Sequence, residues 1–207
     1  MTAKTYPFLL GLLLLWAGCQ EDPIAPQAQG YESYRYELWK NCLAGGWQVD
    51  FVGTNRDRGS YPDFQGQSFD RDHEGTGGIE TDGILAEIGG VLSNIPPPDV
   101  VLLGIGGNDL TSGDLVSGIV ANLNQIIDTI QAGQPEVVIL VEQIAPASSD
   151  QMTPELQALL DAYNTQVAQV AVAQTDSSST VLAVDTQTGF TDDILVADGQ
   201  HDNESGA

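Results

Sequence analysis

Three short apolar runs limit what this chain can fold into. Val100 to Leu103, Glu136 to Val141 and Thr180 to Val184 are rich in Val, Ile and Leu and too short for helices. Runs of this kind read as strands buried on both faces of a parallel sheet. Between them lie two helical patterns. Asp114 to Ala132 places Leu115, Ile119, Leu123, Ile126, Ile127 and Ile130 on one stripe, as an amphipathic helix requires. Thr153 to Ala173 opens with Thr153 as cap and Pro154 in its first turn, a position where proline is pre-set for a helix. Upstream, Tyr31 to Ala44 reads as a helix stopped at Gly45-Gly46, Trp47 to Val52 as a strand, Gly53 to Arg71 as a long loop, and about Glu80 to Leu92 as another helix. This alternation predicts an α/β fold, a three-layer α/β/α sandwich around a parallel sheet with right-handed crossovers.

The N-terminus reads differently. Lys4 precedes the apolar run Phe8 to Trp16, and small residues lead to Cys19. That is the pattern of an export leader. Trp16-Ala17-Gly18-Cys19 resembles a bacterial lipoprotein cleavage box, with an unusual Trp at its first position. The expected organisation is therefore a signal peptide over 1–19, a polar linker over 20–30 and one domain over 31–207. Cys19 would carry lipid, placing the protein in the cell envelope; a plain signal peptide and a secreted protein is the alternative. The run falls short of the ~18 apolar residues that would read as a membrane span. Cys42 is the only other cysteine, so with Cys19 lipidated no disulfide forms.

Charge narrows the partners. The 207 residues carry a formal net charge of −23, and no Lys or Arg follows Arg71. Such a surface repels nucleic acid and anionic headgroups. Membrane contact is expected only through a lipid anchor. A balance this acidic suits high salt, where self-repulsion is screened.

The residues able to carry chemistry are few. Val100 to Leu103 breaks into glycines and ends on Asn108-Asp109, at the sheet edge where open α/β folds bind ligands. Gly104-Ile105-Gly106 begins like a dinucleotide fingerprint, but its third glycine would fall on Asp109, so no nucleotide cofactor is expected. Asp109 or Thr111 could simply cap the following helix. The second candidate is His201 with Asp198 three residues before it, across a glycine. A carboxylate so placed can fix the imidazole tautomer and stabilise the imidazolium, although a surface turn would use the same residues. The other histidine is His73, in Asp72-His73-Glu74-Gly75-Thr76-Gly77-Gly78, read as ordering its loop. Two distant histidines and scattered carboxylates give no metal-ligand spacing.

Taken together, Gly106-Gly107-Asn108-Asp109, Asp198-Gly199-Gln200-His201, His73-Glu74-Gly75 and the pair Ser33-Tyr34-Arg35 with Val49-Asp50-Phe51-Val52-Gly53 resemble the blocks of the SGNH (GDSL-like) hydrolases, in their carbohydrate acetylesterase branch. The resemblance runs over roughly 31 to 207. It implies a serine esterase acting on acetyl or short acyl esters of carbohydrate without a cofactor. In it His201 is the base, Asp198 its orienter, and Asn108 with the backbone N–H of Gly78 (Gly75 is the alternative) the oxyanion hole. Asp202 stands where the family commonly has proline.

One block is missing. The family's nucleophilic serine lies in GDSxT at the end of a first strand, expected about ten residues before Tyr34-Arg35. Ile24 to Gly30 holds no Ser, Thr or Cys there. Gly66-Gln67-Ser68-Phe69-Asp70 fails the G-x-S-x-G elbow at its last position. The nucleophile is thus unidentified, with Ser33, Ser60 and Ser68 as remote substitutes and the first strand expected to be absent. Two readings follow: an exported esterase whose first block and closing helix are missing from the chain, or a catalytically inactive surface protein that binds carbohydrate.

Overall fold

The computed structural model describes residues 10–16 and 33–194. Five strands, β1 (Leu10–Trp16), β2 (Val49–Val52), β5 (Val100–Gly104), β6 (Val138–Glu142) and β7 (Thr180–Val184), form one parallel sheet in the order β2-β1-β5-β6-β7. A separate antiparallel pair, β3 (Asn55–Arg56) and β4 (Asp72–His73), closes the loop that follows β2. The expected α/β class with a parallel sheet is what the chain adopts. The strands and helices read from periodicity fall within a few residues of their observed limits.

The first strand is the correction. It is present, built from the run expected to be a leader. Leu10 to Leu13 pair with Val49 to Val52 on one side, and Leu12 to Trp16 pair with Val100 to Gly104 on the other. Its start is tied down twice: the Gly11 N–H donates to Asp99 Oδ2 at 2.9 Å, and the Asp99 N–H donates to the Gly11 carbonyl at 2.8 Å. A strand paired on both sides needs a continuous apolar run, and so does a leader; composition cannot separate them. Cleavage ahead of Cys19 would remove β1 and leave β2 with no neighbour in the sheet.

Helices cover the two faces unequally. On one face α2 (Thr81–Leu92), α4 (Val116–Gly133) and α5 (Pro154–Gln174) pack an aliphatic core. Val101, Leu103, Ile139, Val141 and Val181 meet Ile88, Ile119, Leu123, Ile126 and Val167 there. On the other face α1 (Tyr34–Ala44), capped by Ser33, lays Tyr36 and Trp39 over Leu12 and Phe51, with Phe69 from the loop before β4. Phe69 stands edge-on to Tyr36, Trp39, Phe51 and Tyr61, with ring centroids 4.9–6.0 Å apart, the arrangement aromatic quadrupoles favour.

The strand order locates the site. The chain leaves β1, forms α1 and adds β2 outward; it then crosses back to β5 and continues outward through β6 and β7. Its direction reverses between β1 and β5. Ligands of open α/β sheets sit outside the carboxyl ends of the strands at such a reversal.

Candidate functional site

Just beyond β5 the chain turns sharply into a short helix, α3 (Gly107–Ser112). Gly106 makes the turn with φ +100°, and a Cβ there would lie 2.7 Å from the Tyr163 ring. Only glycine fits both demands. The fully buried Tyr163 hydroxyl donates to the Ile105 carbonyl at 2.9 Å, fixing the strand end from α5.

Asn108 and Asp109 then reach across to the start of α2. Asn108 Nδ2 donates to the Ile79 carbonyl at 2.8 Å. Asp109 is 2% exposed, and its carboxylate accepts the Thr81 N–H at 3.0 and 3.2 Å together with the Thr81 hydroxyl. Asn122 Nδ2 donates to that hydroxyl at 3.0 Å. The expected cap thus exists but serves a different helix: Asp109 caps α2, some 28 residues away in sequence, not α3. A buried carboxylate is expensive unless its oxygens are bonded, and the N–H groups and dipole of a helix N-terminus offset that cost.

The two expected oxyanion donors are brought to adjoining positions. Gly78 directly precedes Ile79, whose carbonyl holds Asn108. Gly78 has φ +74°, with nothing within 4 Å of where a Cβ would sit, and Thr76 to Gly78 are exposed. Gly75, the alternative donor, has its N–H engaged by His73 Nδ1 at 3.0 Å. His201, Asp198 and Cys19 lie outside the described residues.

The substitute nucleophiles are placed unfavourably. Ser33 is buried at the start of α1, where its hydroxyl accepts the Arg35 N–H at 3.3 Å. Ser68 donates to Asp63 at 2.8 Å, and Ser60 is exposed in the loop before β4. An open groove of about 810 Å³ runs between α5 and Gln187, lined by Gln143, Asp161, Asn164 and Val172 among others. None of residues 76–81 or 104–109 lines it, so this groove is not where those polar groups converge. Among the described residues no cluster of His, Cys, Asp and Glu could hold a metal ion, and no helix is long and apolar enough to cross a membrane.

Comparison with known proteins bears on the family and the fold. The sequence model of the GDSL-like lipase/acylhydrolase family matches residues 42–206. Among solved structures, a carbohydrate esterase family 3 protein from Talaromyces cellulolyticus is similar at 28% identity and TM-score 0.78, over 96% of this chain and 90% of that one. A family 3 carbohydrate esterase from Clostridium thermocellum gives 28% identity and TM-score 0.74, with the same coverage of each chain. An acetyl esterase mutant crystallised with acetate ion gives 28% and 0.77, again over 96% and 90%. No curated protein matches the sequence.

Proposed function

The chain belongs to the GDSL-like lipase/acylhydrolase family, and from that premise we propose that it is a carboxylic-ester hydrolase that removes acetyl or other short acyl groups from carbohydrate, with Cys19 as its nucleophile. The family 3 carbohydrate esterases among its structural relatives support the substrate class. One observation carries the reading: Trp16 at the end of β1 pairs with Gly104 at the end of β5, directly ahead of Asn108.

That register changes where the nucleophile block belongs. The family's serine follows its first strand, and the first strand here ends at Trp16. The next residues are Ala17-Gly18-Cys19, in the place of Gly-Asp-Ser. Cys19 follows Trp16 by only three residues in the chain. Sulfur is a competent replacement for oxygen, since thiolate is strongly nucleophilic and a neighbouring histidine lowers its pKa. In this reading the residues before Cys19 stay attached, because cleavage there would discard β1.

In the proposed cycle His201, oriented by Asp198, takes the Cys19 thiol proton as sulfur attacks the acyl carbon. The carbonyl oxygen becomes an oxyanion that accepts from the Asn108 amide and the Gly78 N–H, donors worth about 10²–10³ in rate each. Collapse breaks the ester C–O bond, and the proton passes from His201 to the departing sugar oxygen. Water, deprotonated by His201, then cleaves the thioester to release the carboxylic acid and restore the thiol.

The test is turnover of a chromogenic acetate ester and an acetylated oligosaccharide by the chain with residues 1–19 intact, beside Cys19→Ala and Cys19→Ser. Wild-type turnover, a loss of about 10³-fold or more in Cys19→Ala and retained activity in Cys19→Ser are expected. Undiminished turnover in Cys19→Ala overturns the assignment of the nucleophile. A folded wild type that binds acetylated oligosaccharide without cleaving it overturns the hydrolase reading in favour of an inactive binding protein.

A further inference from the structure

We infer that His73 is a positioning residue: its unprotonated Nδ1 holds the Gly75 amide and so fixes the Thr76–Gly78 turn that presents the Gly78 N–H beside Asn108. The inference rests on the ester-hydrolase reading and deepens it. His73 is 6% exposed, and Gly75 N–H donates to its Nδ1 at 3.0 Å. The same point is gripped from β3, where Asn55, paired with His73 in the ladder, donates from Nδ2 to the Gly75 carbonyl at 3.2 Å. Next to it the Glu74 carboxylate accepts the Thr54 N–H at 2.6 Å and the Thr54 hydroxyl at 2.9 Å. Backbone packing leaves no slack: a Cβ on Gly53 would lie 2.0 Å from the His73 carbonyl oxygen.

At its other end the turn is held by Asn108 on the Ile79 carbonyl and by Asp109 on Thr81. Between these anchors Thr76, Gly77 and Gly78 are exposed, so the direction of the Gly78 N–H follows from the two ends. Asn108 controls one of them and is itself the partner donor. His73 controls the other without touching substrate.

The bond requires a neutral ring, because a protonated imidazole has no acceptor to offer. Burial is the first cause that lowers the His73 pKa, to about 4, and the Arg35 guanidinium adds to it, while Asp57 and Asp72 pull the other way. Those groups face it from α1, from the segment after β3 and from β4. Arg35 and Asp57 are paired at 2.9 Å, and Tyr61 donates to the same carboxylate at 2.9 Å; Arg35 and Asp57 act on the ring in opposite directions, and burial is the largest influence. The ring stays an acceptor through the neutral range.

Two variants separate positioning from mere packing. In His73→Asn the side-chain oxygen can stand where Nδ1 does; in His73→Gln it stands where Nε2 does. With an acetate ester as probe, His73→Asn should keep kcat within about threefold, whereas His73→Gln loses tenfold to a hundredfold with KM little changed, the size expected of a small misplacement of a catalytic donor. Equal kcat in the two variants overturns the inference. Amide hydrogen exchange at Gly75 reads the same contact independently of catalysis: slow in wild type and His73→Asn, fast in His73→Gln. Fast exchange in wild type also overturns it. An inactive wild type with a protected Gly75 amide would count against the hydrolase reading and leave the anchor intact.

Discussion

β1 and β5 are neighbours of nearly equal composition, Leu-Gly-Leu-Leu-Leu-Leu-Trp beside Val-Val-Leu-Leu-Gly, paired in register from Leu12–Val100 to Trp16–Gly104. One reads from sequence as a leader and the other as the centre of the sheet. The difference lies in their flanks. Val100 follows a proline triplet and precedes a glycine turn, signals that bound a strand. Leu10 stands near a chain start, behind Lys4 and ahead of small residues and Cys19, signals that bound a leader. A buried strand and an export signal satisfy the same apolar requirement, so only pairing tells them apart. With β1 in place, the chain that carries the proposed Cys19 leaves the sheet after Trp16, paired with Gly104 at the end of the strand that leads to Asn108.

The sharpest way to break this equivalence is to remove residues 1–18, as cleavage ahead of Cys19 would. A sheet without the strand between β2 and β5 loses more than the whole ~5–15 kcal/mol stability of a typical domain. The shortened chain is expected to show no cooperative unfolding by circular dichroism, against a sigmoidal transition for the full chain. A stable, cooperative shortened chain would restore the leader reading.

Next in size come matched truncations of the two strands. Leu103 is fully buried and Leu12 is 5% exposed. Leu103→Ala and Leu12→Ala should each cost about 2–5 kcal/mol by urea denaturation. A negligible cost for Leu12→Ala alone would mean that β1 is not docked as β5 is.

Asn108→Ala tests the β5 side of the site. Loss of one oxyanion donor predicts a fall of about 10²–10³ in kcat, equivalent to roughly 2.7–4 kcal/mol, with the freed Ile79 carbonyl adding a stability loss visible in the thermal midpoint. Full activity in Asn108→Ala would detach β5 from the chemistry.

The smallest expected effect is in acid and belongs to the face that covers β1 and β2. With a folded pKa of about 4 against about 6.5 unfolded, His73 binds fewer protons in the folded state, so its contribution declines as pH falls from 6.5 toward 4. Burial alone would raise the Asp57 carboxyl, but the Gly59 N–H, Arg35 and Tyr61 outweigh it and hold it below the usual range. Its contribution is present above an unfolded pKa of about 3.9 and is lost as pH falls further, through the folded value. Thermal midpoints measured from pH 7 to pH 3 should decline in that order, and His73→Asn should flatten the upper part of the decline. An unchanged upper part would remove His73 from the account of acid sensitivity.

How much the sequence reveals depends on the range of the interaction. Strands β5 to β7 and helices α2, α4 and α5 are legible because their periodicity is local: Ile119, Leu123, Ile126 and Ile130 announce a buried stripe by spacing alone. Asn108 and Gly78 are legible as motif residues, yet nothing local shows that Asn108 reaches the Ile79 carbonyl, next in the chain to Gly78. Asp109 reads as a cap, but its partner Thr81 is distant in sequence, so the wrong helix is expected. The Arg35–Asp57–Tyr61 group is invisible beforehand because Arg35 comes from α1 and the other two from the loop before β4, with Asp57 22 residues on. The first strand shows how one element's reading propagates: with Leu10–Trp16 read as part of a leader, the nucleophile is sought ten residues before Tyr34, in a stretch that holds no Ser, Thr or Cys.

The most direct test is to quench the full chain in acid during turnover of an activated acetate ester and map the acetylated peptide by mass. Acetyl on the peptide containing Cys19, absent after Cys19→Ala, is the predicted result. Acetyl on a serine elsewhere, or steady turnover with Cys19 never acylated, would contradict it.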